Sequence, residues 1–277
     1  MRIANQGGRL VLLAGDGGID VESASNGRFG ADPQAIYARW QEFRDWAAAA
    51  RGAARPLNDA DLGAPAPRPA QVFGIGLNYR AHAAEAGLQV PDRPAVFTKF
   101  PTCITGPFSD VELPSAMTDW EVELVVVIGP RAHRVSEDAA WNHVAGLTIG
   151  QDVSERVVQW GGGGQFSLGK SFPTFGPMGP CLVTPDELGN RDDLALSCSV
   201  GDEVMQSSRT SDMVFSVAQL VAELSAILPL LPGDVIFTGT PQGIGAARKP
   251  PRFLKPGEVV TSTIEGLGTM RNRCVAG

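Results

Sequence analysis

The feature that most constrains this chain is Asp119-Trp-Glu-Val-Glu-Leu124, which runs directly into Val125-Val-Val-Ile-Gly129. An apolar, β-branched run of this kind reads as a buried strand. Side chains alternate along a strand, so Glu121 and Glu123 share one face at a spacing of about 6–7 Å, while Val122, Leu124 and Val126 occupy the other. Adjacent buried carboxylates repel each other, and one must hold a proton unless a cation balances them. A hard divalent cation, which takes oxygen ligands, meets that demand. The candidate third ligand is Asp152, at the point where a second apolar run, Val144 to Gly150, opens into a loop. Taken alone, Glu-Val-Glu is equally the pattern of a half-solvated strand, so the reading depends on its company.

The rest of the composition narrows the class. A chain of 277 residues buries an ample core without covalent staples. Its four cysteines, Cys103, Cys181, Cys198 and Cys274, have no paired spacing, which argues against a zinc site or an extracellular disulfide framework. Reduced thiols in a cytoplasmic protein are therefore expected. The short apolar patch Leu10 to Leu13 lacks the flanks of a secretory signal, and no apolar run approaches the roughly 18 residues of a membrane span. A net charge of −7 without a basic cluster argues against nucleic acid as a partner. With 33 glycines and 21 prolines among short valine-rich runs, the expected class is α+β, mostly β.

In chain order, residues 1–65 read as a small N-terminal α/β domain and residues 66–277 as a second, larger domain. The first contains a hairpin-like start and a helix from Pro33 to about Ala50, with Ile36, Trp40, Phe43 and Trp46 on its core face. A proline-rich segment from 55 to 70 links the two. Beyond it, Gly74-Ile-Gly76 lacks the third glycine of a dinucleotide fingerprint, since Tyr79 stands there. A short alanine-rich helix stopped by Gly87 then puts His82 and Glu85 three residues apart, within hydrogen-bonding reach of each other. Isolated, that pair is also ordinary on a solvated helix. His133 and His143 read as structural. Arg156 and Gln159 follow Asp152 closely, and Arg156 either forks onto a substrate carboxylate or holds Glu155 or Asp152.

Residues Gly164 to Ser171 match the phosphate-loop pattern letter for letter, yet no apolar strand precedes them, and Pro173, Gly176 and Pro177 forbid the helix that must follow. Nucleotide binding is therefore rejected. Ser167 and Lys170 have the spacing of a serine β-lactamase pair but lack its Lys-Thr-Gly companion. What remains is a glycine-rich loop presenting Lys170 to an anionic oxygen. Further on, Phe215 to Leu228 reads as an amphipathic helix, and Thr240 offers a hydroxyl and an amide at the end of the strand Val235 to Thr238.

Six ordered motifs now stand together: Gly-Leu-Asn-Tyr-Arg-x-His-x-x-Glu, Asp-Trp-Glu-x-Glu-Leu, Gln-Asp-Val-Ser-x-Arg-x-x-Gln, Gly-Lys-Ser-Phe, Pro-Gly-Asp-Val-Ile-x-Thr-Gly-Thr-Pro-x-Gly-x-Gly and Phe-Leu-x-Pro-Gly. Together they resemble the fumarylacetoacetate hydrolase family from about Phe73 to Met270. The resemblance implies a catalytic domain of rolled mixed β-sheets, a small N-terminal domain and usually a homodimer. It implies Mg²⁺ or Mn²⁺ on Glu121, Glu123 and Asp152, a lid bearing His82 and Glu85, and Lys170 in the pocket. Arg156, Gln159 and Thr240 are the candidate contacts for a 2-oxo acid or dicarbonyl substrate. The expected reaction is metal-dependent hydrolysis of a C–C bond in an acylpyruvate-like 2,4-dioxo acid through a metal-stabilised enolate. Oxaloacetate decarboxylation, or tautomerisation, isomerisation or hydration of a 2-oxo acid, is the alternative on the same site. A catalytically silent metal- or ligand-binding protein is the alternative outside it. Pro173, where many members have Asp, and Val200-Gly-Asp-Glu203, where many have Asn-Gly-Glu, depart from the pattern; Pro173 bears on substrate identity.

Overall fold

The computed structural model describes all 277 residues. Its centre is the valine-rich strand Val122–Ile128, buried at every position. On one side it pairs antiparallel with Val144–Gln151, and on the other with Val235–Phe237. The run is apolar throughout because both faces of the sheet are covered. Val122, Leu124, Val126 and Ile128 point into the larger apolar core, which they share with Leu196, Val260, Ile264 and Met270. Val125 and Val127 point the opposite way, into a second core with Trp40, Phe43, Leu182 and Phe237. The period-two alternation expected from the sequence is thus realised, and Glu121 and Glu123 fall on the odd-numbered face just beyond Val125.

Around this strand lies a mixed sheet of 12 strands. Val235–Phe237 continues it in parallel with Val72–Gly76, and Ala95–Thr98 closes that edge. In the other direction Val144–Gln151 meets Gly176–Val183, which pairs with Arg2–Gln6. The same sheet therefore runs without a break into the N-terminal strands Arg2–Gln6, Arg9–Ala14 and Gly17–Asp20. A second sheet of five strands, Glu203–Arg209, Ala195–Val200, Val259–Ile264, Gly268–Ala276 and Val111–Leu113, closes the larger core from the opposite side. No helix is long and apolar enough to cross a membrane.

The helices are shorter than periodicity predicts. Pro33 to Ala50 resolves into a 3-10 turn, Ala35–Arg39, and an α-helix, Trp40–Ala47, separated where Arg39 leaves helical geometry. The aromatic face is as expected: Ile36, Trp40 and Phe43 are buried, and Phe29 packs edge-on against Phe43. Val217–Ile227 starts at Ser216, whose hydroxyl and Gln219 form a reciprocal cap. In the strand Gly176–Val183, the residues Gly176, Pro177, Gly179 and Pro180 conceal all but the Leu182–Val183 end from pattern reading.

Gly150 shows how tightly the region beneath the acidic residues is built. A Cβ there would lie 2.5 Å from Val125 Cγ2 and 2.6 Å from Phe237 Cε1. Gly150→Ala is therefore expected to destabilise the protein by about 1–3 kcal/mol, measurable as a lower urea midpoint at unchanged slope.

Candidate metal centre

Strand pairing brings the three acidic residues together. Val122 and Glu123 lie opposite Gln151 and Gly150, and the Asp152 amide donates to the Glu121 carbonyl at 2.9 Å. One carboxylate oxygen from each of Glu121, Glu123 and Asp152 lies within 4.8 Å of the other two. All three residues are buried. The surrounding backbone is pinned by side-chain amides: Gln151 accepts from the Glu121 N–H at 2.8 Å, and Gln206 accepts from the Val122 N–H at 2.9 Å.

The charges form a chain of alternating sign. Arg156 donates through Nη2 and Nε to Asp119 at 2.6 and 2.9 Å, and its Nη1 lies 2.8 Å from Glu121. Lys170 Nζ bridges Glu121 at 2.7 Å and Asp152 at 2.6 Å. Lys99 Nζ holds the other Asp152 oxygen at 2.6 Å, and also donates to the carbonyls of Phe175, at 3.1 Å, and Lys170. Glu123 alone of these acids has no cation; its partner is the Gly239 amide at 2.7 Å. Gly239 makes that bond from a φ of +100°, and a Cβ there would lie 2.7 Å from Asn78 Cβ, so the position demands glycine.

These positions set the ionisation. Burial opposes charge on Glu121, but Lys170 and then Arg156 outweigh it and hold the carboxyl down at about 2. Glu123 goes the other way: burial first, then the charges of Asp152 and Glu121, push it well above the usual carboxylate range. Burial works against the Lys170 ammonium, yet Asp152 and Glu121 raise it above the ordinary lysine value. An all-oxygen donor set with one under-compensated carboxylate fits a hard dication. With Glu123 ionised, such an ion would leave the cluster net positive, which suits an anionic substrate.

A cavity of about 620 Å³ opens above the cluster. Of the residues singled out in the sequence, His82, Glu85, Glu121, Arg156, Gln159, Lys170 and Thr240 line it, and Glu123 and Asp152 are buried behind them. His82 and Glu85 lie on the helix Arg80–Glu85, with Nδ1 2.8 Å from Oε1. Both Glu85 oxygens also accept from the Gly243 amide, at 3.1 and 3.0 Å, which docks this helix on the Thr238 to Gly245 turn. Arg156 holds neither Glu155 nor Asp152; it holds Asp119, Glu121 and, at 2.8 Å, the Gln159 carbonyl oxygen. That leaves the Gln159 NH₂ group free to donate into the cavity. The Thr240 hydroxyl is likewise committed, donating to the Val122 carbonyl at 3.0 Å and accepting from Gln206 at 2.8 Å. Its amide is the group left for a ligand.

Three contributors escaped sequence reasoning. Lys99 carried one signal, a lone cation ending an apolar strand. Asp119 was visible within its motif, but its pairing with Arg156 and with the Gly245 and Ala246 amides depends on tertiary structure. Gln206 carried none. The phosphate-loop match is a coincidence of letters: no helix follows Lys170, whose ammonium is turned inward onto carboxylates.

The family model for the C-terminal region of fumarylacetoacetate (FAA) hydrolase matches residues 71–275. The mitochondrial oxaloacetate tautomerase FAHD2A of Bos taurus is 46% identical over 223 residues, covering 79% of this chain and 71% of that one. A crystal structure from Mycobacterium smegmatis, of a protein provisionally assigned as HpcE, superposes with a TM-score of 0.97 at 49% identity over the whole of both chains. Maleylpyruvate hydrolase from Sphingobium sp. SYK-6, solved with manganese(II) and pyruvate, superposes with a TM-score of 0.82 at 27% identity, again over the whole of both chains.

The raised Glu123 carboxyl has a measurable consequence. Cation binding requires the ionised form and so competes with the protonation that burial and the charges of Asp152 and Glu121 favour at Glu123. Affinity for Mg²⁺ or Mn²⁺ should rise with pH while Glu123 titrates and level off once it is ionised. Calorimetry in buffers of different ionisation enthalpy should register proton release on binding that diminishes as pH rises; affinity independent of pH would contradict the assignment.

Proposed function

The chain belongs to the fumarylacetoacetate hydrolase family, and on that premise we propose that it is a divalent-metal-dependent hydrolase breaking a C–C bond in an acylpyruvate-like 2,4-dioxo acid. The observation that carries this reading is the placement of the His82–Glu85 pair in the same cavity as the acidic cluster. Glu85 engages Nδ1, which fixes the ring and leaves Nε2 as the proton-transferring atom. When bound to Glu121, Glu123 and Asp152, Mg²⁺ or Mn²⁺ would supply a positive centre that lowers the energy of negative charge developing on the 2-keto oxygen.

The protein's own groups do the rest. Arg156 and Lys170 keep Glu121 ionised and fix its direction, and Lys99 fixes the direction of Asp152. The Gln159 NH₂ group and the Thr240 amide hold the substrate's carboxylate end. His82 takes a proton from water as the water oxygen bonds to the distal carbonyl carbon. The oxygen of that carbonyl becomes an oxyanion, for which the one Lys170 N–H not committed to Glu121 or Asp152 is the remaining donor. The oxyanion then re-forms its C=O as the C–C bond breaks, the electron pair of that bond passes into the pyruvyl fragment as an enolate, and the proton held by His82 returns to its carbon. The products are a carboxylic acid and pyruvate. The same reading carries a cytoplasmic homodimer.

A second reading is supported by the name of the Bos taurus relative, an oxaloacetate tautomerase. Tautomerisation needs the same base and enolate but no attacking water, so His82 would move a proton between carbon and oxygen of one substrate. Pyruvate release from acetylpyruvate supports hydrolysis; accelerated enol–keto exchange of oxaloacetate without pyruvate release supports tautomerisation. In either case His82→Ala is expected to lower kcat/KM by about 10²–10⁴-fold while binding of oxalate with Mg²⁺ is retained. A His82→Ala enzyme working at the parent rate would remove the histidine from the mechanism.

A further inference from the structure

The cavity is far larger than the chemistry at its floor requires. At roughly 30 Å³ per non-hydrogen atom, the share of a water in the liquid, the six such atoms of a pyruvyl head take up less than a third of about 620 Å³. By the same measure the nine of oxaloacetate take up less than half.

Much of the cavity's lining is apolar: Leu77, Leu88, Phe97, Trp160, Phe166 and Ile244. Phe97 and Phe166 meet edge-on with centroids 5.9 Å apart, a fixed aromatic corner, and Lys170 Nζ sits 5.2 Å from the Phe97 centroid at the boundary with the charged end. Trp160 and Leu88 are 56% and 55% exposed, an unusual amount of large apolar side chain to leave against water beside a polar centre. Trp160 follows Gln159 on the helix Arg156–Gly161, so one short element presents a polar amide to the floor and an indole to the mouth.

The charges at the mouth argue against a second carboxylate on the substrate. Arg248 lines the cavity, but its guanidinium is paired with Glu203 at 2.6 Å, just as Arg156 and Lys170 are paired at the floor. Lys249 is the only lining cation without an ion-pair partner, and a single lysine at the rim is not a bidentate clamp.

Resting on the reading of the floor as a 2-oxo acid site, we propose that the substrate carries a bulky apolar acyl substituent, an aryl group or an alkyl chain of similar size. Trp160 and Phe166 are its specificity-determining residues. The substituent lies along the aromatic corner and covers the exposed faces of Trp160 and Leu88. Four-carbon dicarboxylic 2-oxo acids leave this half of the cavity filled with water.

The test uses stable mimics of the 2-oxo acid head on the full-length protein loaded with Mn²⁺. Calorimetric Kd values are compared for oxamate, N-benzyloxamate and N-(2-carboxyethyl)oxamate. The benzyl compound is expected to bind at least about ten-fold more tightly than oxamate, and the carboxyethyl compound no more tightly than oxamate. In Trp160→Ala and in Phe166→Leu the ratio of the benzyl to the oxamate Kd should move toward one; Trp160 is exposed, and an unchanged melting temperature confirms that its variant is folded. Equal Kd values for oxamate and N-benzyloxamate, or preference for the carboxyethyl tail, overturn the apolar-tail inference and leave the 2-oxo acid reading intact. Failure of all three to bind overturns that reading and the inference with it.

Discussion

The structure depends on a buried chain of alternating charge: Asp119, Arg156, Glu121, Lys170, Asp152 and Lys99, each within 2.8 Å of the next. Taking so many ions out of water is costly, and an apolar core of the same volume would serve stability as well or better. What the chain provides is direction. Every carboxylate oxygen in it is assigned to a donor, so Glu121 and Asp152 cannot rotate away from Glu123. Glu123, left with one amide donor, is where the positive charge falls short. The site is held ready for a dication by cations that do not themselves satisfy it.

The scaffold explains how such a cluster is held. The valine-rich strand is gripped by two cores, one toward the five-stranded sheet and one toward the N-terminal helix. Its neighbour Val144–Gln151 delivers Asp152 in register with Glu121, and the turn after Val235–Phe237 brings Gly239 and Thr240 against the same spot. Three adjacent strands thus converge on the cluster at one end of the sheet. The helix Arg80–Glu85 docks on that turn through Glu85, which ties the proposed base to the elements that hold the acids.

Much of this was legible in the sequence because it is local. Alternation along one strand placed Glu121 and Glu123 together, i to i+3 spacing paired His82 with Glu85, and Pro173 and Gly176 removed the helix that a phosphate loop needs. The illegible parts depend on distance. Nothing near Arg156 says that its partners are Asp119 and Glu121 rather than Asp152, because the strand pair that juxtaposes them is separated by a long excursion. The Thr240 hydroxyl reads as a free contact until Gln206, from the other sheet, is seen to occupy it. Most of the strand Gly176–Val183 is hidden by its glycines and prolines, of which Gly179 and Pro180 sit where its register with Val144–Gln151 is broken.

The central claim is that Glu121, Glu123 and Asp152 share one divalent ion, and Mn²⁺ titration followed by electron paramagnetic resonance tests it directly. The free-ion signal should be quenched to an end point of one Mn²⁺ per chain, and Glu123→Gln should weaken that binding by at least about 100-fold, the scale of losing one charged ligand. Full quenching in the variant at the parent affinity, or no quenching in the parent protein, would contradict it.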